Sequence, residues 1–168
     1  IDALVETAEQ TNSHGYQSYT GIPELRNAIS SWMASTYGVA FKTENEILPL
    51  MGSKEGIMHI SMAFLNPGDK VLVPNPGYPT YTSVANLMDA EIELYDLDEE
   101  NGWNVDVQRL KEKDLSKVKL LWLNFPHMPT GARADLEVLQ ELINLAKEKQ
   151  FLIVNDNPYS LILNPTPR

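Results

Sequence analysis

The chain has 168 residues, 43% of them hydrophobic, with no cysteine and a formal net charge of −10. That size and apolar content suit one globular domain with a real core rather than a disordered chain. The acidic balance argues against nucleic-acid phosphates and anionic membranes as partners, and the lack of cysteine excludes disulfides, thiolate metal sites and a cysteine nucleophile.

The N-terminus, Ile1 to Glu6, carries acids where a signal peptide carries bases, and no apolar run approaches the ~20 residues that span a bilayer. A cysteine-free chain of this kind fits the reducing cytoplasm.

In chain order, Pro23 to Tyr37 predicts an amphipathic helix. Pro23 suits its first position, Gly38 suits its C-cap, and Leu25, Ile29, Trp32 and Met33 recur on one face. Glu46 to Leu50 reads as a short apolar strand. From Lys54 the period is helical, with Ile57, Ile60, Ser61 and Phe64 on one face, until the turn Asn66-Pro67-Gly68-Asp69. Val71 to Val73 reads as a buried strand, and Pro74 to Pro79 as a rigid loop, since three prolines fix φ and exclude helix.

Tyr81 to Met88 reads as helix, Glu91 to Tyr95 as strand and Val107 to Lys113 as a short helix. Val118 to Leu123 is nearly all apolar, as in a parallel strand covered on both faces. A proline loop from Phe125 to Gly131 follows. Asp135 to Lys149 predicts a helix with Leu136, Leu139, Leu142, Ile143 and Ala146 on one side, and Phe151 to Val154 a buried strand. Strands and helices alternate, which predicts a three-layer α/β fold around a mainly parallel sheet.

Ligands of such sheets bind beyond the carboxyl ends of the strands, and three segments there carry unusual chemistry. In Met51-Gly52-Ser53-Lys54-Glu55-Gly56 a small-residue turn opens a helix whose free N–H groups suit an anion; the plain alternative is a turn capped by Ser53. In Asn124 to Gly131, His127 is the one titratable side chain, and a lone loop histidine is more often a hydrogen-bonded bystander. In Asp156-Asn157-Pro158-Tyr159, Asp156 is either an Asx-turn or cap before Pro158, or a carboxylate held to face a cation.

Together these pieces resemble the fold-type I, class I/II, pyridoxal-phosphate-dependent aminotransferases, from about His14 to Tyr159. Tyr19-Thr20-Gly21-Ile22-Pro23-Glu24-Leu25-Arg26 is similar to the family's tyrosine, glycine and Leu-Arg element, and Gly52-Ser53-Lys54 to its phosphate turn. Pro76-Gly77-Tyr78-Pro79-Thr80-Tyr81 is similar to its ring-stacking loop, Met128-Pro129-Thr130-Gly131 to its Asn-Pro-Thr-Gly, and Asp156 with Tyr159 to its aspartate and tyrosine pair. The resemblance implies that residues 1–168 form one partial domain, part of the cofactor-binding large domain.

It also implies a cofactor, pyridoxal 5'-phosphate, and a role for each matching residue. Asp156 would bond the pyridine nitrogen, Tyr78 would stack on the ring, and Tyr159 would bond the phenolic oxygen. Ser53 and the backbone of Ser53 and Lys54 would bind the phosphate. Tyr19 would reach the phosphate of a neighbouring subunit in a homodimer. The substrates would be an amino acid and a 2-oxo acid, with neither nucleic acid nor membrane as partner.

Two departures stand out. Met128 replaces the asparagine beside the phenolic oxygen and cannot donate a hydrogen bond, so His127 or Asn124 takes over or Tyr159 acts alone. The family's Schiff-base lysine lies beyond the Asp156–Tyr159 pair, in a motif this chain does not contain, so no catalytic residue is assigned and the chain by itself is expected to be inactive. The start at Ile1, the Pro-rich stretch 164–168 and the end at Arg168 predict a fragment cut by a trypsin-like protease. Two other readings remain: another fold-type I enzyme, such as a β-lyase or decarboxylase, and a non-catalytic domain with the same sheet.

Overall fold

The computed structural model describes residues 1–162; the tail Asn164 to Arg168, expected as an exposed loop, lies outside them. Two compact units divide the chain, Ile1–Pro49 and the remainder from Leu50.

The first unit holds α1 (Asp2–Glu9), which is not among the elements predicted above, and α2 (Pro23–Tyr37). Pro23 opens α2 and Gly38 closes it in the left-handed conformation, at φ 71°, as expected. The buried face expected of α2 is only partly covered. Ile29 and Met33 are half-buried, whereas Leu25 and Trp32 are each 45% exposed. A unit this small buries little of its surface. Polar ties help instead: Arg26 donates to the Thr43 carbonyl at 2.9 Å and Ser30 to that of Phe41 at 2.7 Å. The apolar run Glu46 to Leu50 forms no strand, because no neighbouring strand among the described residues pairs with it.

The second unit alternates helix and strand: α3 (Ser53–Phe64), β1 (Lys70–Asn75), α4 (Pro79–Leu87), β2 (Glu91–Asp96), α5 (Val107–Lys111), β3 (Val118–Leu123), α6 (Leu136–Lys149) and β4 (Leu152–Asn155). The strands lie in the order β2-β1-β3-β4, and every pairing is parallel. Period-two alternation sends side chains to two separate cores. On one face Val71, Val73, Leu120 and Trp122 pack with Ile57 of α3 and with Tyr81 and Val84 of α4. On the other Leu72, Leu121 and Leu123 pack with Leu110 of α5 and with Leu142 and Leu145 of α6. This is the three-layer α/β fold with a parallel sheet that the sequence predicts.

Two expectations need correction. β4 is not buried. Leu152 is 45% exposed, because β4 pairs only with β3 and forms the sheet edge among the described residues. The apolar side of α6 is also offset: Leu142, Leu145 and Ala146 are buried, while Leu136 is 79% and Ile143 39% exposed. The helix meets the sheet one position round from where the pattern alone puts it, with Leu136 and Ile143 beside the open edge of β4. Among the described residues, no helix is long and apolar enough to cross a membrane.

The sheet order reverses between β1 and β3. The chain leaves β1 for β2 on one side, then crosses back over β1 to β3 and β4 on the other. Loops diverging at such a reversal leave a crevice beyond the carboxyl ends.

Candidate active site

A cleft of about 160 Å³ opens there, lined by Ser53, Tyr78, Asn124, Met128, Asp156, Pro158 and Tyr159. Ser53, Tyr78, Asp156 and Tyr159, which the sequence singles out from three separate segments, therefore share one space. Lys54 stands at its margin, with Nζ 5.8 Å from the centroid of the Tyr78 ring. Tyr19 belongs to the first unit, where its ring is fully exposed.

Asp156 is held at three points. Its backbone N–H donates to the Leu123 carbonyl at 2.9 Å, extending the β3–β4 ladder by one rung. Its carbonyl accepts from Asn124 Nδ2 at 2.6 Å, and its Oδ2 accepts from the Tyr81 hydroxyl at 3.0 Å. The turn that follows is capped by its neighbour, since Asn157 Oδ1 accepts the Ser160 N–H at 3.1 Å. The Asx-turn role that Asp156 could have filled is thus taken by Asn157, and the Asp156 carboxylate is left to the cleft.

The opening of α3 also differs from a plain capped turn. Gly52 is the N-cap, at φ 110°, and Ser53 is the first helical residue; no side chain caps the helix. Glycine tolerates that φ, which a β-carbon would strain. Glu55 reaches back to the Met51 N–H at 2.6 Å, outside the helix. The first N–H groups of α3 and the exposed Ser53 hydroxyl remain turned to solvent at the positive end of the helix dipole.

Tyr78 is set by the loop before it. A β-carbon on Gly77 would run into the carbonyl oxygen of Pro74, so only glycine allows the chain to fold back this tightly. The half-buried Tyr78 phenol is held below the usual phenol range, first by the Thr80 side chain and then by the Lys54 ammonium.

His127 is 2% exposed and satisfied at both nitrogens, by Thr130 Oγ1 at 2.8 Å and the Pro76 carbonyl at 3.1 Å. Asn124, 3% exposed, accepts the Met128 N–H on Oδ1 and donates to the Asp156 carbonyl. Both side chains are therefore committed to holding loops. Tyr81, which sequence reasoning missed, is the residue whose side chain bonds the Asp156 carboxylate. The available signal was its spacing: three residues after Tyr78 in a helix start, it falls on the same side. Burial, then the Asp156 charge, pushes its phenol far above the usual range, so it stays a protonated donor.

Comparison with known proteins gives a consistent result. The sequence profile of the family "Aminotransferase class I and II" matches residues 1–166. The chain is 41% identical over 159 residues to an LL-diaminopimelate aminotransferase of Dehalococcoides mccartyi, covering 95% of this chain and 41% of the relative. Among solved structures it is similar to apo-BacF from Bacillus subtilis, with a TM-score of 0.88 and 38% identity over 92% of this chain and 39% of that one. It is also similar to a probable N-succinyldiaminopimelate aminotransferase from Thermus thermophilus, with a TM-score of 0.85 and 31% identity over 95% and 43% of the two chains. The chain thus spans about 41% of the length of the curated relative it matches.

Proposed function

Because the chain belongs to the class I and II aminotransferase family, we propose that it is the cofactor-holding portion of a pyridoxal-phosphate-dependent enzyme that moves an amino group between an amino acid and a 2-oxo acid. One observation carries this reading. Asp156, its backbone bonded on both sides and its carboxylate held by the Tyr81 hydroxyl, lines the same cleft as the Tyr78 ring and the uncapped start of α3.

Pyridoxal phosphate presents a basic ring nitrogen, a flat ring and an anionic phosphate, and the cleft holds a group suited to each. Asp156 would keep the ring nitrogen protonated, as a carboxylate does for a cation beside it. Tyr78 would lie against the ring face. The Ser53 hydroxyl, with the Ser53 and Lys54 N–H groups, would take the phosphate at the positive end of α3. Tyr159 would donate to the phenolic oxygen. It would do so alone, since His127 and Asn124 are committed elsewhere and Met128 has no donor. When bound, the group supplies an electron sink for the pair left at the substrate α-carbon as its proton departs.

We assign the Schiff-base lysine to the part of the relatives' length that this chain does not span. Tyr19 would serve the phosphate of a second subunit in a homodimer, and its exposed ring supports that reading. A cysteine-free chain is in keeping with the cytoplasm. The residues 1–168 are read as one partial domain of that enzyme.

The test is made on the full-length protein with pyridoxal phosphate, an amino acid and a 2-oxo acid. Formation of the new amino acid, matched by loss of the first, is expected. Release of ammonia or carbon dioxide would point to a lyase or decarboxylase instead. Failure to take up the cofactor would leave a non-catalytic domain.

A further inference from the structure

Tyr81 is not part of the reading above, yet it connects its two central residues. It lies in the first turn of α4 and is fully buried. Its ring stacks on Trp122 of β3, with centroids 5.0 Å apart and planes 5° apart. The Tyr78 ring meets it edge to face at 5.8 Å. Held between these two rings, it directs its hydroxyl at Asp156 Oδ2, 3.0 Å away. A hydroxyl facing a carboxylate donates, and a bond to a charged acceptor is among the stronger ones.

We propose that Tyr81 is a positioning residue for the cofactor's ring nitrogen: its hydroxyl occupies one oxygen of Asp156 and so fixes which oxygen, and which direction, the carboxylate offers to the ring. The proposal rests on the cofactor reading. Three geometric facts support it. Tyr81 cannot turn away, because its ring is clamped by Trp122. Asp156 cannot slide, because its backbone is bonded on both sides, to Leu123 and Asn124. The remaining freedom of Asp156 is rotation of its side chain, and the Tyr81 hydroxyl removes it. A side chain ordered before the ligand arrives need not lose that freedom on binding.

The experiment compares Tyr81→Phe with the parent in the full-length protein, because phenylalanine keeps the stack on Trp122 and removes only the hydroxyl. Equilibrium binding is measured for pyridoxal phosphate and for its deaza analogue, in which a carbon replaces the ring nitrogen. The expected result is a loss of about tenfold in affinity for pyridoxal phosphate, the scale of one hydrogen bond to a charged group, with binding of the deaza analogue unchanged. Equal losses for both would mean that Tyr81 merely shapes the cleft, and no loss for either would mean that the hydroxyl does nothing; each outcome overturns the proposal. Asp156→Asn is run beside it. If that variant binds pyridoxal phosphate as tightly as the parent, the cofactor reading fails, and the two failures are told apart.

Discussion

His127 Nε2 lies 3.1 Å from the carbonyl oxygen of Pro76, so a single imidazole ties the loop after β3 to the loop after β1. A carbonyl can only accept, so Nε2 carries the proton, and in the neutral ring Nδ1 accepts from the Thr130 hydroxyl at 2.8 Å. Protonation would make Nδ1 a donor as well, and the Thr130 hydroxyl would have to turn and accept. Burial holds the His127 imidazole below its usual range.

The sign of the pH effect follows from that. The unfolded chain takes up the proton at the ordinary imidazole value and the folded chain only at lower pH, so stability rises with pH between the two. It is fully present above the ordinary imidazole value and is lost as the pH falls below it. His127→Gln should lack this part of the slope. Thermal unfolding of both proteins from pH 8 to pH 5 gives the comparison, and parallel curves would show that His127 does not carry the effect.

On the proposed reading, Asp156→Ala in the full-length protein should lower turnover by at least about a hundredfold, or ~2.7 kcal/mol, while leaving the fold intact, with some loss of stability because the buried Tyr81 hydroxyl loses its acceptor. The side chain is half-buried and belongs to neither core cluster. Near-normal turnover in this variant would remove the assigned role.

Ser53→Ala should separate phosphate binding from ring binding. The variant should bind pyridoxal phosphate about tenfold more weakly, the scale of a lost bond to a charged group. It should bind pyridoxal, which has no phosphate, as well as the parent does. Equal losses for both ligands would place Ser53 against some other part of the ligand.

Gly77→Ala should cost about 1–3 kcal/mol of stability, as forced crowding in a packed region does, because the new methyl meets the backbone of Pro74 rather than a movable side chain. Gly15→Ala meets nothing within 4 Å and serves as the control. Denaturant unfolding of the two variants measures the difference, and equal midpoints would mean that the loop after β1 can open.

The sequence reveals the second unit well because its signals are local and strong. Val118 to Leu123 reads as a covered strand and is one, and Asp135 sits before α6 and caps it, accepting the Glu137 N–H at 2.8 Å. What the pattern could not reveal depends on partners. Glu46 to Leu50 has a strand's composition, but a strand is made by its neighbour. Phe151 to Val154 has a buried strand's composition, but burial requires a second pairing edge. At the site, the short motifs brought out Ser53, Tyr78, Asp156 and Tyr159. For Tyr81 the local spacing from Tyr78 gives only a side of the helix; its bond to Asp156 spans 75 positions, which no local pattern encodes. The same holds for Asn157, whose capping of the turn frees the aspartate before it.

The rung between the Asp156 N–H and the Leu123 carbonyl also has a bearing on timing. During synthesis Ser53 and Tyr78 emerge long before Asp156, and until β4 lies down along β3 nothing holds that carboxylate beneath the Tyr81 hydroxyl. Parallel pairing across an intervening helix is slow to form, because distant segments must first meet. On the proposed reading, a nascent chain carries the helix start that would face the phosphate well before the carboxylate that would face the ring nitrogen is in place, and the cleft is complete only once β4 has docked.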